Sequence, residues 1–247
     1  MVNLKNIKLT VEYDGTNYCG WQRQKNGDTI QQTIENAITE VTREEVKLIG
    51  SSRTDAGVHA KMYVCNFSTN STIPPDKIGI VINHSLPEDI VILKSEEVDG
   101  KFHSRYCSKG KMYSYTILNR NERAAIGRNY AYQYSRNIDI EAMKKSAIYF
   151  LGKHDFSAFK STGSSVKDNV RTIAEVRIEK NGDYIKIYVS GDGFLYNMVR
   201  IMVGTLLEVG EKKINPENIK EIIESKDRNK AGKVVPAKGL CLEKVFF

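Results

Sequence analysis

The opening stretch IKLTVEYD alternates apolar and polar residues and predicts a β-strand with one buried face. A helix follows in GDTIQQTIENAITEVTR, where Thr29 and Gln32 form a capping box and Ile30, Ile34, Ala37, Ile38 and Val41 fall on one side. KLIGSSRTDAGVHA and MYVCNFST read as strand, loop and strand. Pro74 and Pro75 open a helix within residues 74–90, and VILKSEEV is a further strand. The pattern then restarts. KMYSYTILN (111–119) alternates as a strand, and IDIEAMKKSAIYFLG is a helix with Gly152 placed to cap its end. HDFSAFKSTGSS is a polar loop, and RTIAEVRIEKNGDYIKIYVSGDGF is a hairpin with Asn181–Gly182 at its turn. FLYNMVRIMVGTLLEVG predicts a mostly apolar helix. Asn215–Pro216 caps another with Ile219, Ile222 and Ile223 inward, and GLCLEKVFF closes as a strand. The expected fold class is therefore α+β, built as two similar halves. Residues 1–107 form one and residues 108–247 the other, joined at a basic stretch near 105–111 that contains Gly110.

Composition narrows this picture. At 247 residues the chain has room for two ordinary domains, and 40% hydrophobic with 27% charged residues describe a soluble globular protein. No apolar run reaches the roughly 18 residues of a membrane span, the longest being broken by Arg200. The N-terminus lacks a signal-peptide core, so a cytoplasmic location is expected. The net charge of +7 is modest, but its placement is uneven. Lys101, Arg105, Lys109, Lys111, Arg120, Arg123 and Arg128 stand against a single acid, Glu122. Such a stripe suits a polyanion such as RNA, although charge alone favours a solvated face. Cys19, Cys65, Cys107 and Cys241 form no C-x-x-C pair and sit in apolar or aromatic company, as buried, reduced thiols do. His59, His84, His103 and His154 show no metal-binding spacing, so no metal is expected.

Three places carry candidate chemistry. In GSSRTDAGVHA (50–60), Arg53, Asp55 and His59 lie among residues that barely fill space, which lets a substrate approach one carboxylate; an aspartate that only shapes a turn would look the same. Arg200 lies on a helix apolar around most of its circumference, where a cation needs an anionic partner or must snorkel outward. Tyr113 and Tyr115 share one strand face, as core or as a platform on which a nucleobase stacks. FHSR (102–105) adds an aromatic, a histidine and an arginine just upstream.

RTDAGVHA (53–60), FHSRYCSKGKMYSYTILN (102–119), GKHDFSAFKSTG (152–163), VRTI (170–173) and GFLYNMVRIMVGTL (193–206) together resemble the tRNA pseudouridine synthase A family. YDGTNYCGWQRQ (13–24) and the closing AGKVVPAKGLCLEKVFF agree, so the likeness runs in order along the whole chain. The resemblance implies two α+β halves around a continuous, mainly antiparallel sheet with a basic cleft. It implies a homodimer that converts uridines 38, 39 and 40 of the tRNA anticodon stem-loop without a cofactor. It makes Asp55 the catalytic aspartate, Tyr113 the residue that stacks on the uracil and Arg200 the partner of Asp55. Arg53 and His59 would position the loop or contact RNA, with Arg105, Lys109 and Lys111 as further RNA contacts. One stretch departs: where the family often continues with a small polar strand containing Gly-Gln-Val, this chain has KMYVCNF, placing Tyr63 and Cys65 behind the aspartate. Two other readings compete, an RNA-binding module without activity and a hydrolase using Asp55 and His59.

Overall fold

A computed structural model describes residues 4–163 and 166–247. The chain divides into two compact units, Met1–Lys109 with Cys241–Phe247, and Gly110–Leu240. In the first, β1 (Lys5–Tyr13) is followed by α1 (Ile30–Thr42), β2 (Ile49–Gly50), β3 (His59–Thr69), α2 (Pro75–Asn83) and β4 (Ile90–Val98). β1 is the central strand, antiparallel to β3 on one side and to β4 on the other. Its alternation puts Ile7, Leu9, Val11 and Tyr13 in the core, and Ile30, Ile34 and Ile38 of α1 and Ile78 and Ile82 of α2 are likewise nearly inaccessible. Each such aliphatic side chain contributes about 1.5–3 kcal/mol by leaving water. Thr29 caps α1 as expected, its hydroxyl accepting from the Gln32 amide at 3.4 Å. The α1 stripe also contains a buried acid, Glu35, matched by Arg23 at 2.8 Å and by the Leu48 amide at 2.9 Å.

The second unit holds β5 (Gly110–Leu118), β6 (Tyr132–Gln133), α3 (Ile140–Ala147), β7 (Gly152–Asp155), β8 (Val170–Asn181), β9 (Tyr184–Gly191), α4 (Met198–Gly210) and α5 (Asn218–Ser225). Its strands run β5-β9-β8-β7 with antiparallel neighbours, and β6 lies parallel to β5. In α4 every residue except Arg200 and Glu208 is buried, so this helix is apolar around almost its whole girth. Gly204 lets another segment lie directly on it: a Cβ there would stand 1.9 Å from the Lys233 carbonyl oxygen. The last strand, β10 (Leu240–Phe246), runs parallel to β3 and so counts with the first unit from Cys241 on, whereas the sequence division has it in the second half. Both units are α+β, as the pattern predicts. Among the described residues, no helix is long and apolar enough to cross a membrane.

Several local expectations need correction. The hairpin turn is centred on Gly182–Asp183, one place later than Asn181–Gly182. Asn181 still pairs with Tyr184, and a glycine with φ of 56° supplies the first central position. α3 continues through a 3-10 turn at Ile148–Phe150, so the glycine expected at the helix end, Gly152, follows the cap residue Leu151 of that turn rather than α3 itself. The Gly152 φ of 96° turns the chain out of the helical run and into β7. HDFSAFKSTGSS is not a polar loop: Phe156, Ala158 and Phe159 are fully buried around a 3-10 turn, while Ser164 and Ser165 lie outside the described residues. α4 starts at Met198 because Asn197 takes a left-handed conformation. α5 starts at Asn218, after a turn in which the Asn215 carbonyl accepts the Asn218 amide. Of the cysteines only Cys65 is buried; Cys19 and Cys107 are exposed in turns and Cys241 is half-buried.

Asp155 anchors the Phe156–Phe159 turn. Its Oδ1 accepts from the Ser157 hydroxyl at 2.6 Å and amide at 3.0 Å, and Oδ2 pairs with Lys226 at 3.0 Å. The Ser157 hydroxyl bond, ahead of the lysine, holds the carboxyl below the usual carboxylate range. The ionised form therefore stabilises the fold fully above the ordinary value of about 3.9, and that contribution fades as pH falls through the lower folded value. Asp155→Ala is expected to cost about 1 kcal/mol at pH 7, with the gap from wild type closing in acid. Urea melts at pH 7 and pH 3 measure this, and an equal gap at both would contradict the assignment.

Candidate active site

The loop carrying Asp55 is held from behind by the segment YDGTNYCGW. The Trp21 amide donates to the Thr54 carbonyl at 3.1 Å, and the Gly57 amide donates to the Tyr18 carbonyl at 3.3 Å. The Thr54 hydroxyl shares a buried hydrogen bond of 2.8 Å with the Tyr13 hydroxyl. Within the loop, the Val58 amide closes a turn onto the Asp55 carbonyl at 3.2 Å. These contacts fix the residues on either side of Asp55 and leave its side chain half-buried, with Ala56 exposed beside it. The approach demands glycine at two positions. A Cβ on Gly15 would lie 2.0 Å from the Val58 carbonyl oxygen, and one on Gly20 would lie 2.5 Å from that of Thr54. Gly20 also has φ of 89°.

Behind the loop stands an aromatic stack that accounts for the departing KMYVCNF segment. The Tyr63 ring lies on Trp21 with centroids 3.9 Å apart, and Tyr13 leans on both. The Tyr63 hydroxyl donates to the Ser52 carbonyl, and Gly50 has no Cβ because the Tyr63 hydroxyl and Trp21 Nε1 occupy that space. Cys65 faces the core, where burial pushes its thiol well up. Tyr63 thus packs behind the loop, while Cys65, further along β3 opposite Leu9, belongs to the core of the sheet.

Arg53 is exposed, whereas His59 is 6% exposed. His59 Nδ1 faces the Gly15 amide at 3.1 Å and Asp14 Oδ1 at 2.9 Å. One nitrogen cannot accept from the first and donate to the second at once, but either protonation state ties the ring to the 14–15 turn. Of the two roles expected for His59, this geometry supports positioning. Arg105 and Lys109 are exposed and lie towards the opposite end of β3 from the Asp55 loop.

In the second unit, Tyr113 lies on β5 opposite Val189 and meets the Phe194 ring edge-on, 5.2 Å away. It is 7% exposed. Its neighbour Tyr115 is fully buried and donates to the Pro236 carbonyl at 2.7 Å; burial pushes its phenol far up, offset in part by the Arg200 cation. Lys111 is 9% exposed, which separates it from the open basic surface expected of it. Arg200 is half-buried. Its Nε donates to the Val235 carbonyl at 2.7 Å and its Nη1 to Asn197 Oδ1 at 2.7 Å. Asn197 has φ of 60° and spends its amide on these neighbours rather than on capping α4. Its Nδ2 donates to the Ser161 hydroxyl at 3.0 Å. Neither Asn197 nor Val235 is singled out by the sequence pattern. The only signal for Asn197 is a polar residue one turn before Arg200 in an apolar run. Among the described residues, no cluster of three or more His, Cys, Asp or Glu side chains is placed to hold a metal ion.

A family model described as tRNA pseudouridine synthase matches residues 9–107 and 146–247. The tRNA pseudouridine synthase A of Clostridium acetobutylicum is 63% identical over 99% of this chain and 100% of its own length. The tRNA pseudouridine synthase A 2 of Clostridium perfringens is 60% identical, and the tRNA pseudouridine synthase A of Acetivibrio thermocellus 54%, each with the same coverage. A solved chain from a Cbf5-Nop10-Gar1 complex aligns over 96% of this chain and 48% of its own, at 12% identity and a TM-score of 0.43. The chain belongs to the tRNA pseudouridine synthase family.

Gly20→Ala tests the mounting of the Asp55 loop. The left-handed φ costs about 1–2 kcal/mol and the clash with the Thr54 carbonyl pushes the loop outward. The expected result is a modest fall in melting temperature with a drop in kcat of tenfold or more. A variant less stable but of normal kcat would show that the contact serves folding only.

Proposed function

We propose that this protein isomerises uridine to pseudouridine in the anticodon stem-loop of tRNA, acting as a cytoplasmic homodimer without metal or cofactor. The observation that carries the reading is the mounting of Asp55: a half-buried carboxylate on a loop of small residues, fixed by its own backbone, in a chain of this family. The reaction breaks the bond from ribose C1′ to uracil N1 and joins C1′ to C5; the proton leaving C5 balances the one gained at N1. It needs one ionised oxygen that acts as nucleophile or base, and Asp55 serves on the uracil ring or on the sugar. Arg200 is a fixed cation that stabilises this carboxylate, its fork aimed by Asn197 and the Val235 carbonyl. The uracil must leave its stack, at a cost of a few kcal/mol, and stacking on Tyr113 returns about 1–3. Arg53, Arg105 and Lys109 contact RNA, and His59 positions the loop.

An unmodified uridine-rich tRNA transcript separates this reading from its rivals. Pseudouridine without strand cleavage is expected; cleavage would favour a hydrolase, and binding without product a passive module. Besides the stacking ring, the Tyr113 hydroxyl is assigned a proton transfer at C5, so in the same assay Tyr113→Phe should bind tRNA as wild type yet lose most turnover, and Tyr113→Leu should lose both. Full wild-type rate in Tyr113→Phe would remove the hydroxyl from the chemistry.

A further inference from the structure

The segment after β4 forms a tight turn whose construction exceeds what a connection requires. The Tyr106 and Cys107 amides both donate to the His103 carbonyl, at 3.0 and 2.9 Å. The Arg105 and Tyr106 amides also point at His103 Nδ1, at 3.2 and 3.4 Å, and the His103 amide meets Cys107 Sγ at 3.4 Å. Beneath the turn runs a buried amide chain. Asn66 Oδ1 accepts from the Ser104 amide at 2.9 Å and hydroxyl at 2.6 Å. Asn66 Nδ2 donates to Asn6 Oδ1 at 2.9 Å, and Asn6 Nδ2 donates to the Asp99 and Phe102 carbonyls, both at 3.0 Å. Ser104, Asn66 and Asn6 are 0%, 3% and 7% exposed, so this network is dry and satisfied, the condition under which polar groups rigidify a site.

What the network holds up is an aromatic side chain in water. Tyr106 is 77% exposed. His103 stacks on it with centroids 4.2 Å apart, and the Arg105 guanidinium lies 6.0 Å from the ring centre. Lys101, Arg105 and Lys109 are exposed in the same segment, whose only acid is Asp99 at its start, its Oδ1 accepting from the Lys101 amide at 2.8 Å. A rigid ring, one face backed by imidazole, with cations beside it, is the arrangement that takes an unpaired nucleobase and its phosphates. The turn is built on Asn66, seven residues along β3 from His59 at the Asp55 loop, about 23 Å at about 3.3 Å per residue. It therefore cannot touch the reacting uridine.

We propose that the His103–Tyr106 turn is a second RNA-contact site, which stacks an unpaired tRNA base on Tyr106 and takes an adjacent phosphate on Arg105. The proposal rests on the reading of the chain as a tRNA enzyme and adds where it grips the substrate away from the reacting uridine. The test uses the full chain, tRNA transcript, equilibrium binding at several salt concentrations and single-turnover rates at saturating enzyme. Tyr106→Ala is expected to weaken binding between about fivefold and a hundredfold. Its saturated rate and salt slope should stay at wild type, and Tyr106→Phe should bind within about twofold of it. Arg105→Ala should lower the salt slope by about one phosphate. Unchanged affinity in Tyr106→Ala overturns the proposal. So does a change in elution volume on gel filtration, which would make the turn a protein interface. If wild type binds tRNA but makes no pseudouridine, the functional reading fails, and the binding arms still decide the site.

Discussion

The arrangement rests on one constraint, that the chain on both sides of Asp55 be held while its carboxylate stays reachable. Side chains packed around the aspartate would hold it and bury it. Instead, the neighbours are held through backbone: the Thr54 carbonyl by Trp21, the Gly57 amide by Tyr18, with the Thr54 hydroxyl on Tyr13. Backbone contact at that distance leaves no room for a Cβ, which is why Gly15 and Gly20 stand where they do. The Tyr13, Trp21 and Tyr63 stack is then the floor that stops the loop from sinking into the sheet.

The second unit solves the converse problem, holding a cation on a helix that is buried along almost its whole length. Arg200 is aimed by a carbonyl from a distant segment and by an asparagine one turn earlier. The distant segment lies against α4 because Gly204 admits the Lys233 backbone and the Thr205 hydroxyl accepts the Gly232 amide at 2.9 Å. Tyr115 ties the next residue, Pro236, to β5. A left-handed Asn197 is a local strain of the kind kept where a side chain must point one way.

Periodicity made β1, α1 and the isoleucine face of α5 legible, because each buries one face and its spacing shows which, whereas β5 is buried on both faces. The Phe156–Phe159 turn was not, since a short 3-10 turn buries its aromatics with no repeating interval to read. Cys107 looked buried because aromatic neighbours in sequence need not be neighbours in a core; here the adjoining Tyr106 faces water. For the site, the motif around Asp55 and the oddity of Arg200 in an apolar run could be seen. What holds them could not. Tyr13 and Thr54 are 41 residues apart, Arg200 and Val235 35, and only the fold brings such pairs together.

The central claim is that Asp55 is the group that reacts. It is tested most directly by Asp55→Asn, which removes the charge and keeps the shape of the loop. Single-turnover conversion of a saturating complex should vanish, while tRNA affinity stays within about tenfold because the phosphate contacts remain. Conversion above a few per cent of the wild-type rate, with the substitution verified in the protein assayed, would contradict the account.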